Sequence, residues 1–302
     1  MEIGIIGVGA MGKNHVRVFS ELKSVDAVRV FDLNTAAAEE IGRKHGAEVA
    51  RSMDELLRSV DAVSVCVPTP FHGKVAGEVF AAKKPVLIEK PICATAAEAI
   101  SLMQSAPRGI TIGVGHIERF NPIVEEIRKI VHKPLYIEMK RHNPASSRVT
   151  GSTVVEDLMI HDIDILLSTF FNKPCDIRSA GNADVCSVLM RCGTVPVALS
   201  ASRKSSKKIR LIYIEEEEFT IEGDFMSQEV TIYRKPGQYK VEAERYVQEN
   251  IIEKVMVNKL EPLKRELSTF IECAKTGAPF PITPEQAINN LRVCEAIQAG
   301  LA

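Results

Sequence analysis

The run Gly7-Val8-Gly9-Ala10-Met11-Gly12 follows a short apolar stretch, Ile3 to Ile6, and leads into a helical pattern. Asp32 lies twenty residues past Gly12, at the end of a second strand-like stretch, Val28-Arg29-Val30-Phe31. Strand, glycine loop, helix and acid at this spacing make up the full dinucleotide-binding fingerprint. Gly7 permits the tight turn, Gly9 lets the backbone approach a pyrophosphate, and Gly12 lets the helix pack closely on the sheet. The pyrophosphate rests on the free N–H groups at the helix start, around Ala10 and Met11, where the helix dipole is positive. Asp32 accepts hydrogen bonds from the adenosine ribose and repels a 2′-phosphate, so NAD is expected and NADP disfavoured. The competing reading is that the glycines only form a loop and Asp32 caps the next turn.

Strands and helices alternate over the first 120 residues. Strand-like runs fall at Glu2–Gly7, Ala27–Asp32, Glu48–Ala50, Ala62–Val67, Val86–Glu89 and Ile110–Gly115. Asn34 and Gly46 bracket a helix over Thr35–His45, and Thr95 with Glu98 forms a capping box. Such alternation predicts a doubly wound parallel sheet of the Rossmann kind, with ligands outside the carboxyl ends of its strands. Gly7–Gly12, Asp32, Pro68-Thr69-Pro70-Phe71-His72, Glu89-Lys90-Pro91 and His116–Pro122 all follow strands. They are therefore expected along one edge of one sheet.

Beyond Pro122 the pattern changes. A helix over Ile123–Val131, a strand over Leu135–Arg141 and a long helix near Thr153–Phe171 precede six strand-like runs between Asp176 and Arg234. Their alternation of polar and apolar residues predicts a mainly antiparallel sheet with one open face. Two helices, Glu261–Thr276 and Thr283–Ala299, close the chain. The fold class is α/β, with a nucleotide domain over 1–120 and a substrate-binding and oligomerisation domain over 121–302.

A chain of 302 residues has room for two domain cores. Its net charge of −1 provides no field to steer nucleic acid or an anionic membrane. The most basic stretch, Arg203 to Arg210, reads as a solvated hairpin. No window reaches the eighteen or so apolar residues of a membrane span, and no signal peptide precedes the first strand. Seven cysteines without a C-x-x-C pair point to reduced thiols in a cytoplasm, with neither a disulfide framework nor a zinc site. The dispersed histidines suggest no metal site.

Three groups carry chemistry. Lys90 ends a buried strand between Glu89 and Pro91. Partial burial would lower its pKa from about 10.4 and suit it to hydrogen-bond a reacting oxygen; it reads equally as a surface lysine beside a turn, paired with Glu89. Asp157 and His161 stand four apart on a helix and share a face, with Asp164 one turn on. A histidine beside a carboxylate suits removal of a hydroxyl proton, and the competing reading is an ordinary core histidine. Thr69, Pro70 and His72 pass near the cofactor edge. His116, Arg119 and Asn121 follow the last strand of the first domain, where Arg119 is placed to meet a polyhydroxylated or anionic ligand. Arg141 and Arg148 are weaker candidates for a substrate phosphate.

The Gly7–Gly12 loop, Pro68-Thr69-Pro70 with His72, Glu89-Lys90-Pro91, Gly115–Pro122, Asp157 with His161 and Glu261-Pro262-Leu263 together resemble the glucose–fructose oxidoreductase, inositol dehydrogenase and rhizopine-catabolism family, Gfo/Idh/MocA. The resemblance spans essentially the whole chain. It implies a dehydrogenase with a Lys90, Asp157 and His161 catalytic trio, a Lys90–Pro91 peptide that is often cis in relatives, and a homodimer or homotetramer formed through the open sheet. Many members carry glycines before Asp157 and at the Met159 position, which this chain lacks. The Gly115–Pro122 and Asp157–Asp164 segments look like the branch that oxidises C3 of UDP-N-acetylglucosamine. A free-sugar or inositol dehydrogenase is the alternative within the class. A non-catalytic nucleotide- or sugar-sensing regulator is the alternative outside it, against which Lys90 and His161 both stand.

Overall fold

The computed structural model describes all residues except 145–150, 173–174, 236–238, 243–244, 249–250 and 302. The chain divides into two compact units, each with its own apolar core.

In the first unit, β1 (Glu2–Ile6), α1 (Gly12–Glu21), β2 (Ala27–Phe31), α2 (Thr35–His45), β3 (Glu48–Val49), α3 (Met53–Ser59), β4 (Ala62–Val65), α4 (His72–Ala81), β5 (Val86–Glu89), α5 (Ala96–Gln104) and β6 (Ile112–Gly115) alternate. The six strands form one sheet in the order β3-β2-β1-β4-β5-β6, parallel throughout. The order reverses between β1 and β4, so the crevice for a ligand lies where the glycine loop after β1 meets the Pro68–His72 turn after β4. Near-continuous burial of β1, β4 and β5 follows from helices covering both faces. Local signals fix the helix ends: the Asn34 side chain accepts from Ala37 N–H, Thr95 accepts from Glu98 N–H, and Gly46 closes α2 in the left-handed conformation.

The second unit begins at Asn121, which caps α6 (Pro122–Ile130). It contains β7 (Tyr136–His142), α7 (Ile160–Thr169), β8 (Asp176–Gly181), β9 (Val185–Cys192), β10 (Val195–Ser202), β11 (Ile209–Glu215), β12 (Phe219–Asp224), β13 (Glu229–Arg234), the hairpin β14 (Tyr239–Glu242) and β15 (Arg245–Gln248), and β16 (Ile251–Lys254). Eight of these strands form a sheet in the order β16-β13-β12-β11-β7-β10-β9-β8. All neighbours are antiparallel except β7 and β10. The strict in–out burial of β9 shows one face packed and one open.

Three expectations need correction. The long helix near Thr153–Phe171 is broken: Val155–Met159 is a π-helical turn, closed by the Ile160 N–H on Val155 O, and α7 follows it. The second domain does not run to the chain end. Glu261–Arg292 belongs to the first unit, because Leu263, Leu267, Phe270 and Ile271 of α8 (Pro262–Thr276) join its core; α9 (Pro284–Ala299) ends in the second unit. The thiols are not all reduced, since Cys175 and Cys192 form a disulfide across a 4.4 Å Cα separation. Antiparallel pairing sets Asp176 opposite Arg191, so the next pair outward is Cys175 and Cys192. Sequence spacing alone does not reveal that register. Among the described residues no helix is long and apolar enough to cross a membrane.

Candidate active site

The glycine loop separates what the fold needs from what a ligand needs. Gly7 sits at φ +92°, and a Cβ there would lie 2.8 Å from the Cys66 carbonyl. A Cβ on Gly12 would collide with the Gly7 carbonyl oxygen. Both glycines are thus required by the loop itself. Gly9 has nothing within 4 Å, so the space above it is free for a close-approaching group. Gly9 and Ala10 are exposed, Met11 is half-buried, and no acidic side chain sits in the first turn of α1. The residues present therefore fit a dinucleotide pyrophosphate. Asp32 follows β2; its Oδ2 accepts from Val8 N–H at 2.7 Å and its Oδ1 from Asn34 N–H at 2.8 Å. The carboxylate locks the loop to the next strand, and each oxygen keeps a lone pair for a ribose hydroxyl.

Pro68 and Thr69 form a turn closed by Phe71 N–H on Pro68 O, and the turn leads into α4 at His72. The His72 ring is buried, with Nδ1 2.7 Å from Pro91 O and Nε2 2.8 Å from Val67 O. A cofactor contact is expected of it; its nitrogens face these two backbone carbonyls, and the neutral ring, with a single N–H, donates to one of them. Burial pulls the His72 pKa down against those two carbonyls. The Lys90–Pro91 peptide is cis.

Glu89, another expected cofactor contact, also turns inward. Its Oε2 accepts from Lys90 N–H at 3.1 Å, and its Oε1 lies 2.9 Å from His15 Nε2. His15 Nδ1 is 2.8 Å from Ser64 Oγ. Glu266 of α8 completes the group: donor atoms of His15, Glu89 and Glu266 all lie within 4.8 Å of one another, and all three residues are buried. Burial opposes charge on both members of the contact. Cys66 and Glu89 nevertheless hold the His15 imidazole well above its ordinary value, and His15, Lys90 and His72 hold Glu89 below its own. The contact is a buried histidine–glutamate hydrogen bond in which each partner favours the charged form of the other. Neither His15 nor Glu266 was singled out from the sequence. The available signal was a polar residue on an apolar helix stripe: His15 beside Val16, Val18 and Phe19, and Glu266 beside Leu263, Leu267 and Phe270.

In the second unit, Asp157 lies in the π-helical turn and His161 in the first turn of α7, both half-buried. The wider turn keeps residues four apart on nearly the same side, and π turns recur where helices carry function. Asp164 and Asp162 are buried. The structure gives Arg141 a different task from phosphate binding. It is 1% exposed, donates from Nε at 2.9 Å and from Nη2 at 2.7 Å to Asp162 Oδ1, and covers the Phe225 ring at 5.3 Å. Arg148 lies outside the described residues. The remaining candidates also have partners in the fold. Asn121 donates to Phe225 O at 3.0 Å while capping α6, Arg119 donates to Gln286 Oε1 at 2.7 Å, and buried His116 sits 3.4 Å from the Asn290 amide.

Residues 1–116 match the family model described as an oxidoreductase family with an NAD-binding Rossmann fold, Gfo/Idh/MocA. The chain is 32% identical over 244 residues to the UDP-N-acetylglucosamine 3-dehydrogenase of Acidithiobacillus ferrooxidans, covering 78% of this chain and 77% of the relative. The chain belongs to the Gfo/Idh/MocA family. It is an oxidoreductase, and other family members similar to it include the inositol 2-dehydrogenase of Acidothermus cellulolyticus, 29% identical over 59% of this chain and 56% of the relative. Among solved structures, the A. ferrooxidans 3-dehydrogenase GnnA superposes with a TM-score of 0.89 at 27% identity, covering 100% of this chain and 97% of that one. A levoglucosan dehydrogenase solved with NADH and levoglucosan shares the family fold at a TM-score of 0.83 and 15% identity.

Proposed function

We propose that this protein is an NAD-dependent dehydrogenase that oxidises the C3 hydroxyl of UDP-N-acetylglucosamine. The observation that carries the reading is the likeness to the A. ferrooxidans 3-dehydrogenase, which in structure extends over 100% of the chain. Asp32 supports NAD as the cofactor, because a carboxylate fixed by Val8 and Asn34 N–H groups leaves no room for a 2′-phosphate's negative charge beside it. The open space at Gly9 and the N–H groups of Ala10, Met11 and Gly12 would hold the pyrophosphate. Bound NAD supplies the hydride acceptor.

The chain supplies the proton chemistry. Lys90 donates a hydrogen bond to the reacting hydroxyl oxygen and stabilises the negative charge that develops there. His161 takes the hydroxyl proton. Asp157, four residues earlier, orients the imidazole or holds a neighbouring sugar hydroxyl. Purified protein mixed with NAD and UDP-N-acetylglucosamine should produce reduced nicotinamide, while N-acetylglucosamine and inositol should not. Lys90→Met should cut turnover by about 10²–10⁴-fold with NADH binding retained. Equal turnover with inositol would move the reading to a polyol dehydrogenase. Binding of the nucleotide sugar without turnover would move it to a sensor.

A further inference from the structure

The buried group beneath Lys90 has an unusual charge count. With Glu89 and Glu266 ionised, His15 protonated and Lys90 an ammonium, four charges sum to zero. Without the Lys90 charge, the same buried group carries a net negative charge that the low-dielectric interior disfavours. The connections are direct. Glu89 accepts the Lys90 main-chain N–H through one oxygen and meets His15 Nε2 through the other, and Glu266 approaches both. The four residues come from α1, β5 and its end, and α8, all within the first unit. Polar side chains beside the group include Ser64 of β4, Cys66 just after it, and His72 of α4.

We propose that His15 and Glu266 are positioning residues that act through Glu89 to fix the Lys90 main chain and keep its side chain in the ammonium form. The loop that cradles the cofactor and the lysine that meets the substrate are then set by one buried cluster, because His15 rides on the helix opened by Gly12. The catalytic consequence rests on the role proposed for Lys90; the charge coupling does not.

The test reads Lys90 directly. Reductive ¹³C-methylation of the lysines gives a resonance for Lys90, assigned by its loss in Lys90→Arg and titrated through the lysine range. Glu266→Gln removes a negative charge and should move the Lys90 titration to lower pH. His15→Gln removes a positive charge and should move it to higher pH. Each shift should be about half a pH unit or more, with thermal midpoints and NADH binding recorded alongside. Opposite shifts are the signature, since general damage to the fold would move both variants the same way. The alkaline limb of kcat/KM should follow the same two directions. Shifts of one sign, or none in either folded variant, overturn the proposal. Opposite shifts in Lys90 with full turnover in Lys90→Met would keep the cluster and overturn the mechanism of the preceding section. Should Glu266→Gln fail to fold, Glu89→Gln carries the same expected direction.

Discussion

Arg141 illustrates how a charged residue near a strand end can belong to the core. Its guanidinium gives two hydrogen bonds to one Asp162 oxygen in a pocket closed by Phe225. Breaking such a pair leaves a buried charge behind and costs about 3–5 kcal/mol. Arg141→Met should therefore lower stability by that amount in denaturant unfolding, while the KM for the nucleotide sugar stays within about twofold. A large rise in KM at unchanged stability would return Arg141 to the substrate. The sequence showed Arg141 at a strand end and Asp162 in a helical segment, but nothing in their spacing pairs them. The fold partners of His72 and Glu89 are hidden in the sequence for the same reason. Strand-end position was legible, whereas the inward turn of each side chain depends on Pro91, Val67 and His15, which only the folded chain brings near.

At the scale of elements, the glycine loop offers the sharpest separation of folding from binding. Gly12→Ala puts a methyl onto the Gly7 carbonyl and should destabilise strongly. Gly9→Ala meets nothing, so its thermal midpoint should stay near that of the unaltered chain while NADH affinity falls at least about tenfold. Equal affinity in folded Gly9→Ala would mean that no pyrophosphate approaches there. The parallel sheet was largely readable, because strand–helix alternation and the caps at Asn34 and Thr95 are local signals. The π-helical turn at Val155–Met159 was not, since a 3.6-residue apolar period continues through it and one i→i+5 bond has no sequence signature. The β14–β15 hairpin and β16 went unread as well; β16 is a short run of exposed residues with one half-buried position, paired only at the sheet edge.

For the whole molecule, the open face of the eight-stranded sheet sets the next question. Leu189 on β9 is 58% exposed and Leu211 on β11 is 41% exposed, and the register through β10 and β7 puts them on one side of the sheet. The family resemblance implies that a second copy covers this face. Leu189→Asp should shift the mass seen by light scattering toward a single chain, and an unaltered protein already of single-chain mass would remove that reading. The return of Glu261–Arg292 to the first unit has another consequence, for synthesis. At about 5–20 residues per second, a ribosome takes on the order of ten seconds to make residues 121–260 before α8 emerges. During that interval the nascent nucleotide unit has its glycine loop and all six strands but lacks the helix that brings Glu266 to His15. The buried group joined to the Lys90 main chain is completed only after residues 121–260 have been made.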